Sequence, residues 1–170
     1  MMEKFGYKNQ MAVPKIEKVV VNTGFGRQVS GKGSDEQKKI ANAIAEDLAL
    51  ICGQKPVITL AKKSIAGFKI RQGMPLGACV TLRGRKMYDF LERLIGVALP
   101  RSRDFQGLEA KSFDTKGNLT LAFKEQIVFP EILPERIKDI FGFEVTVVVG
   151  SKSREQGIEL LKLLGFPIKS

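Results

Sequence analysis

Histidine is absent from this 170-residue chain. That removes the Ser-His-Asp triad, the Cys-His pair and every His-containing zinc site. Two cysteines, Cys52 and Cys79, stand far apart in apolar runs. They can make neither a four-thiolate metal site nor a disulfide framework, so buried free thiols in a reducing compartment are expected. No run of about twenty apolar residues occurs, which argues against a membrane span. The N-terminus lacks an apolar signal core, so the protein is expected in the cytoplasm. An enzyme built on this sequence would need carboxylates, lysines or a bound cofactor. Yet most acids stand beside bases on helices, as in Glu92 with Arg93 and Glu135 with Lys138. No carboxylate pair has a spacing that suits acid–base work. Neither catalysis, metal nor cofactor is expected.

Acid is also missing from one long stretch. Asp47 and Asp89 bracket it, and between them stand Lys55, Lys62, Lys63, Lys69, Arg71, Arg83, Arg85 and Lys86. These eight bases supply most of the formal net charge of +10. Charge packed this way repels itself unless a polyanion cancels it. Phosphate backbones suit best, because each neutralised phosphate releases condensed counterions. A solubilising face would intersperse acids among the bases.

The length suits one domain, residues 1–170, and a hydrophobic share of 44% builds a real core. Residues 15–22 read as a strand around Val19, Val20 and Val21. A glycine-rich turn over 24–33 follows. Ser34 opens a helix with Gln37 as its capping-box partner, and Gly53 stops it. Ile40, Ile44, Leu48 and Ile51 give that helix its apolar stripe. Val57–Leu60 is a second strand, and 62–67 a basic loop. Residues 68–71 and 78–83 are expected as two strands joined by a protruding turn over 72–77. A helix over about 85–99 carries Met87, Phe90, Leu91, Leu94, Ile95 and Ala98, and Pro100 ends it. Leu119, Leu121 and Phe123 alternate along a strand. Ile127 to Pro130 is an apolar connection, 134–141 a brief helix, and Phe143–Val149 a strand. Ser153 and Gln156 cap a last helix with Ile158, Leu161 and Leu164, stopped by Gly165. No fixed-period repeat is present. This order predicts an α+β fold: an antiparallel sheet with helices on one face and an open side for RNA.

Gly26 to Lys32 has the spacing of a phosphate-binding loop, but Gly33 stands where serine or threonine should hold magnesium. No strand ends in the acid such a site needs. A dinucleotide fingerprint fails too, since Val29 replaces its third glycine. Asn22, Gln54, Thr59 and Thr81 lie in or next to strands. Their groups can meet base edges, 2′-hydroxyls or phosphates, and would equally suit a solvated sheet face. The bases around them, Lys55 included, favour RNA. Phe68 is the one aromatic in this region, so phosphate and shape recognition is expected over threading of a single strand.

Several strings are familiar. They include Gly53-Gln54-Lys55-Pro56, Ala61-Lys62-Lys63-Ser64 and Gly67-Phe68-Lys69-Ile70-Arg71-Gln72-Gly73-Met74-Pro75-Leu76-Gly77. Others are Pro100-Arg101-Ser102-Arg103-Asp104-Phe105, Glu125-Gln126-Ile127-Val128-Phe129-Pro130-Glu131 and Gly165-Phe166-Pro167. Nearly end to end, the chain resembles the bacterial family of large-subunit ribosomal proteins that bind 5S rRNA. The resemblance implies a structural protein of the central protuberance, in a cytoplasmic or organellar ribosome. It implies a five-stranded sheet whose open side and loops hold 5S rRNA beside large-subunit rRNA. Asn22, Gln54, Lys62, Lys63, Thr81 and Arg83 fall in that site by position, with Lys55 and Thr59 among them. A loop of Arg71, Gln72, Gly73, Met74 and Pro75 would reach the elbow of peptidyl-site tRNA. Neighbouring large-subunit proteins and a small-subunit head protein, met across an intersubunit bridge, complete the implied partners. The family's N-terminal helix is largely missing before Phe5-Gly6-Tyr7-Lys8-Asn9. The alternative is a free-standing RNA-binding or RNA-chaperone module, which would not cosediment with large subunits.

Overall fold

The computed structural model describes every residue except 104, 134, 136–138 and 170. The strands are β1 Ile16–Gly24, β2 Val57–Leu60, β3 Pro75–Leu82, β4 Leu119–Phe123 and β5 Phe143–Val149. They form an open antiparallel sheet in the order β2-β3-β1-β5-β4. The helices are α1 Met2–Phe5, α2 Gly26–Val29, α3 Ser34–Cys52, α4 Gly84–Arg93, α5 Leu99–Arg101 and α6 Arg154–Leu163. The α+β class expected from the sequence is the one observed. Alternation explains the strands. β4 buries Leu119, Leu121 and Phe123, and β5 buries Phe143, Val145, Val147 and Val149. Stiff β-branched side chains fit such a pleated surface.

The chain divides into two compact units. One comprises Val21–Leu82 and Ala122–Glu144. Here α3 lies against β3 and β2 and buries Ile40, Ile44, Leu48 and Ile51, the stripe read from the sequence. Its entry differs from expectation. Gly33, extended at φ −68° and ψ 155°, is the capping residue, and Ser34 is already helical. A side-chain cap requires an extended backbone at the residue that supplies it. Gln37 instead donates from Nε2 to the Lys32 carbonyl at 2.7 Å. Gly53 closes the helix at φ 63° and donates its N–H to the Ala49 carbonyl, as a left-handed cap should.

Residues 68–71 do not form the expected strand. β2 is four residues long, and its ladder with β3 closes at Leu60 opposite Pro75. Beyond that point the chain has no strand to pair with. It makes a tight turn over Ala66–Phe68, then Lys69 at φ 53°. The same unit buries a polar group. The Gln126 side chain is fully enclosed, donates to the Asp139 carbonyl at 2.7 Å and accepts the Phe141 N–H at 3.0 Å. The helix expected over 134–141 lies outside the described residues at 134 and 136–138.

The second unit comprises Met1–Val20, Arg83–Leu121 and Val145–Ser170. α4 buries Met87, Phe90 and Leu91. It runs through a π-helical turn, Leu94–Ala98, into α5. Pro100 therefore does not end the helix; Ser102 does. A proline has no N–H and its ring crowds the carbonyl four residues back, here that of Gly96. The wider turn, in which Leu99 bonds back to Leu94, relieves that conflict. At α6, Ser153 Oγ accepts the Gln156 N–H at 3.4 Å, and Gln156 Oε1 accepts the Lys152 N–H at 3.2 Å. This is the expected box, with its return bond one residue early. Leu161 is buried, whereas Leu164 is exposed.

Candidate nucleic-acid interface

The first unit presents β2 and β3 as a pair. Val57 faces Cys79, Ile58 faces Ala78 and Thr59 faces Gly77. Successive side chains on a strand point to opposite faces. Ala78, Val80 and Leu82 are the buried set on the strand that α3 covers. Cys79 and Thr81 belong to the other set, half-buried, beside exposed Thr59. One side of the pair is thus apolar and covered, and the other is open, with exposed Val57 and Thr59 beside half-buried Cys79 and Thr81. Gln54 donates from Nε2 to the Thr81 carbonyl at 3.2 Å, which fixes it beside that strand. Asn22 is exposed on β1, the other neighbour of β3. Asn22, Gln54, Lys55, Thr59 and Thr81 therefore lie on or next to three adjacent strands.

Gly77 sets the spacing there. A Cβ at this position would stand 2.6 Å from the Thr23 carbonyl oxygen and 2.9 Å from Thr59 Oγ1. Only glycine admits so close an approach.

The cations are exposed. Lys55, Lys62, Lys63, Lys69, Arg71 and Arg83 have no described carboxylate within ion-pair distance. Lys32, by contrast, pairs with Glu36 at 3.0 Å, and Arg85 reaches Asp89 at 3.9 Å. Lys62 and Lys63 stand on the loop that leaves β2. Arg83 belongs to the second unit, where it precedes α4 in an extended conformation. The phosphate-loop spacing is not a phosphate cradle. Its first half is the helical turn α2, and its lysine is held by Glu36.

The loop after β2 differs from expectation in where it protrudes. Ala61 donates to Met74 at 2.8 Å and Gly73 donates to Ala61 at 3.0 Å, which closes its base. Ile65 and Ile70 exchange two backbone bonds, and the Gln72 N–H reaches Ser64 Oγ at 2.9 Å. Arg71, Gln72 and Gly73 are exposed along one arm. Met74 and Pro75 are not at a tip: both are buried where β3 begins. The tip is Ala66-Gly67-Phe68-Lys69, with Phe68 70% exposed. Phe68 and Ile70 alternate as strand residues do, which hid this turn. Gly67 was the local signal for it.

Cys52 is buried and Cys79 half-buried, and burial pushes the Cys79 thiol up from its ordinary value. A raised pKa keeps the thiol protonated and unreactive. Among the described residues no cluster of His, Cys, Asp or Glu could hold a metal ion, and no helix is long and apolar enough to cross a membrane.

An α+β unit with one covered side, one open side and unneutralised cations has the make-up of a polyanion-binding protein. Comparison with known proteins narrows this. Residues 9–71 match the family model described as ribosomal protein L5, and residues 75–168 match the model of the same ribosomal family's C-terminus. Large ribosomal subunit protein uL5 of Geotalea daltonii is 52% identical over 170 residues, covering 100% of this chain and 92% of the relative. The protein of the same name in Geobacter sulfurreducens is 55% identical over 165 residues, 97% of this chain and 89% of the relative. That of Dictyoglomus turgidum is 54% identical over 169 residues, 99% and 91%. The chain belongs to the ribosomal protein L5 family, uL5, whose members are structural and non-enzymatic.

Proposed function

We propose that the chain is a structural constituent of the large ribosomal subunit and holds 5S rRNA against it, acting as one RNA-binding domain. The observation that carries this is the open side of β1, β2 and β3, with exposed cations that no described acid neutralises. Lys55, Lys62, Lys63 and Arg83 neutralise phosphates. Asn22, Gln54, Thr59 and Thr81 set the register through 2′-hydroxyls and base edges. Large-subunit rRNA and neighbouring proteins complete the surroundings, and a small-subunit head protein meets the chain across the intersubunit bridge. Peptidyl-site tRNA is met by the loop. Its exposed reach is Ala66 to Gly73, with Lys69, Arg71 and Gln72 as donors. Replacing 66–69 by a Gly-Ser turn tests the division of labour. Binding of 5S rRNA should stay near wild type, while tRNA leaves the peptidyl site faster in reconstituted ribosomes. Collapse of 5S rRNA binding with unchanged tRNA release would place the tip on the 5S rRNA side instead.

A further inference from the structure

The tip of the loop after β2 holds a backbone conformation that side chains rarely adopt. Lys69, at φ 53° and ψ 34°, is the one non-glycine residue with positive φ among the described residues. A left-handed residue that carries a Cβ is strained, and such strain persists only where the surroundings over-determine it. Here they do. The peptide unit between Phe68 and Lys69 is bonded at both ends. Its N–H, that of Lys69, donates to the Ala66 carbonyl at 3.0 Å, and its carbonyl, that of Phe68, accepts from Ser30 Oγ at 3.2 Å. The next unit is held by the Ile70 N–H, which donates to the Ile65 carbonyl at 3.1 Å. Lys69 is thus clamped between two fixed peptide planes. Ser30 is the member of this set that comes from outside the loop, and it has a firm mounting. Its own N–H closes the turn of α2 on the Gly26 carbonyl at 3.0 Å, and its neighbour Val29 is fully buried. At the start of α2 the Phe25 N–H donates to the Leu76 carbonyl of β3 at 2.9 Å. All these residues belong to the first unit.

We infer, resting on the loop's proposed contact with peptidyl-site tRNA, that Ser30 is a positioning residue: its hydroxyl latches the tip to the end of α2, so that Lys69, Arg71 and Gln72 are aimed before a partner arrives. Ser30 acts through the Phe68 carbonyl and needs no contact with RNA. A tip ordered in advance loses less conformational entropy on binding, so the partner is retained longer. The Gln72 N–H, which donates to Ser64 Oγ at 2.9 Å, carries the same order down the returning arm. Alanine at position 30 removes the donor. Threonine keeps it, and its branched side chain suits the extended backbone there, at φ −61° and ψ 130°.

Amide hydrogen exchange, followed residue by residue in the full chain, reads the latch without any RNA. Ser30→Ala should speed exchange of the Lys69 and Ile70 amides about 5-fold, the factor for losing one typical net hydrogen bond. The Ala61 amide, bonded to Met74 at the base of the loop, should exchange as in wild type. Ser30→Thr should restore the wild-type pattern at the tip. Melting temperature and 5S rRNA affinity should not change in either variant, because the bond lies at the surface. In reconstituted ribosomes, tRNA should leave the peptidyl site up to about 5-fold faster with Ser30→Ala and at the wild-type rate with Ser30→Thr. Unchanged exchange at Lys69 and Ile70 in Ser30→Ala overturns the latch. A lowered melting temperature with faster exchange throughout the unit makes Ser30 part of the fold alone and overturns it too. Release that the Gly-Ser turn over 66–69 accelerates but Ser30→Ala does not overturns the positioning role. Release that neither change accelerates overturns the tRNA contact itself, and exchange then still decides the latch.

Discussion

Gly77→Ala adds one methyl group and should be costly. The new Cβ would stand 2.6 Å from the Thr23 carbonyl oxygen, where real Cβ contacts essentially never fall below 3.0 Å. The second contact, Thr59 Oγ1 at 2.9 Å, can be relieved by rotating a side chain. The first cannot, because it is β1 backbone. One strand must retreat by at least 0.4 Å, the gap between 2.6 and 3.0 Å. Thr23 has little room to yield. It is buried and its hydroxyl donates to the Gly142 carbonyl at 2.7 Å. Overpacking of this kind costs about 1–3 kcal/mol. For a chain of this size that lowers Tm by roughly 2–4 °C per kcal/mol, so a fall of about 2–12 °C is expected. Thr59 shifts with the strand, so 5S rRNA affinity should fall as well. Thermal and urea unfolding measure the first effect, with Gly67→Ala as control. Gly67 has no atom near its would-be Cβ and its backbone is not left-handed, so its variant should melt like wild type. If Gly77→Ala melts with the control, the strand spacing is not set by this glycine and the reasoning fails.

Gln126→Leu keeps the side-chain volume but strands the buried Phe141 N–H and the Asp139 carbonyl, and should destabilise by about 2 kcal/mol in urea unfolding. An unchanged midpoint would mean that the amide is dispensable. Asp114 should contribute a small acid-sensitive increment. Partial desolvation pushes its carboxyl up, but hydrogen bonds from the Asn118 side chain and from the backbone of Asn118, Lys116 and Gly117 outweigh this and hold it below its ordinary value. A depressed carboxylate stabilises above the unfolded pKa, and that stability is lost as pH falls from about 4 through the folded value. Stability measured from pH 6 to pH 2 should decline less steeply in Asp114→Asn, and identical profiles would contradict the assignment.

Periodicity made the regular elements legible. Leu119, Leu121 and Phe123 are all buried, and so are Ile40, Ile44, Leu48 and Ile51. Gly53 and Ser153 marked their helix ends through local backbone chemistry. What stayed hidden depends on distant partners. Whether 68–71 is a strand depends on β2, which ends at Leu60. The burial of Met74 and Pro75 follows from β3 starting there, and neither residue carries that information itself. Pro100 is tolerated because a π turn forms before it. Gln126 looked like any surface amide until Phe141 and Asp139 enclosed it. The basic stretch and the polar strand residues were legible from charge and residue type alone. Their placement on adjacent strands, and the separation of Arg83 into the other unit, were not.

Unneutralised cations beside β2 and β3 are proposed to hold 5S rRNA. The most direct test is the salt dependence of 5S rRNA affinity for wild type and for Lys62→Ala with Lys63→Ala. Both lysines are exposed on the loop after β2, so melting should not change. With about four to six phosphates neutralised, log affinity against log salt should have a slope of roughly −3 to −5. Loss of two phosphate contacts should make the slope shallower by about 1.5 and weaken binding at every salt concentration. A wild-type affinity that stays flat with salt, or a double variant with an unchanged slope and affinity, would contradict the account.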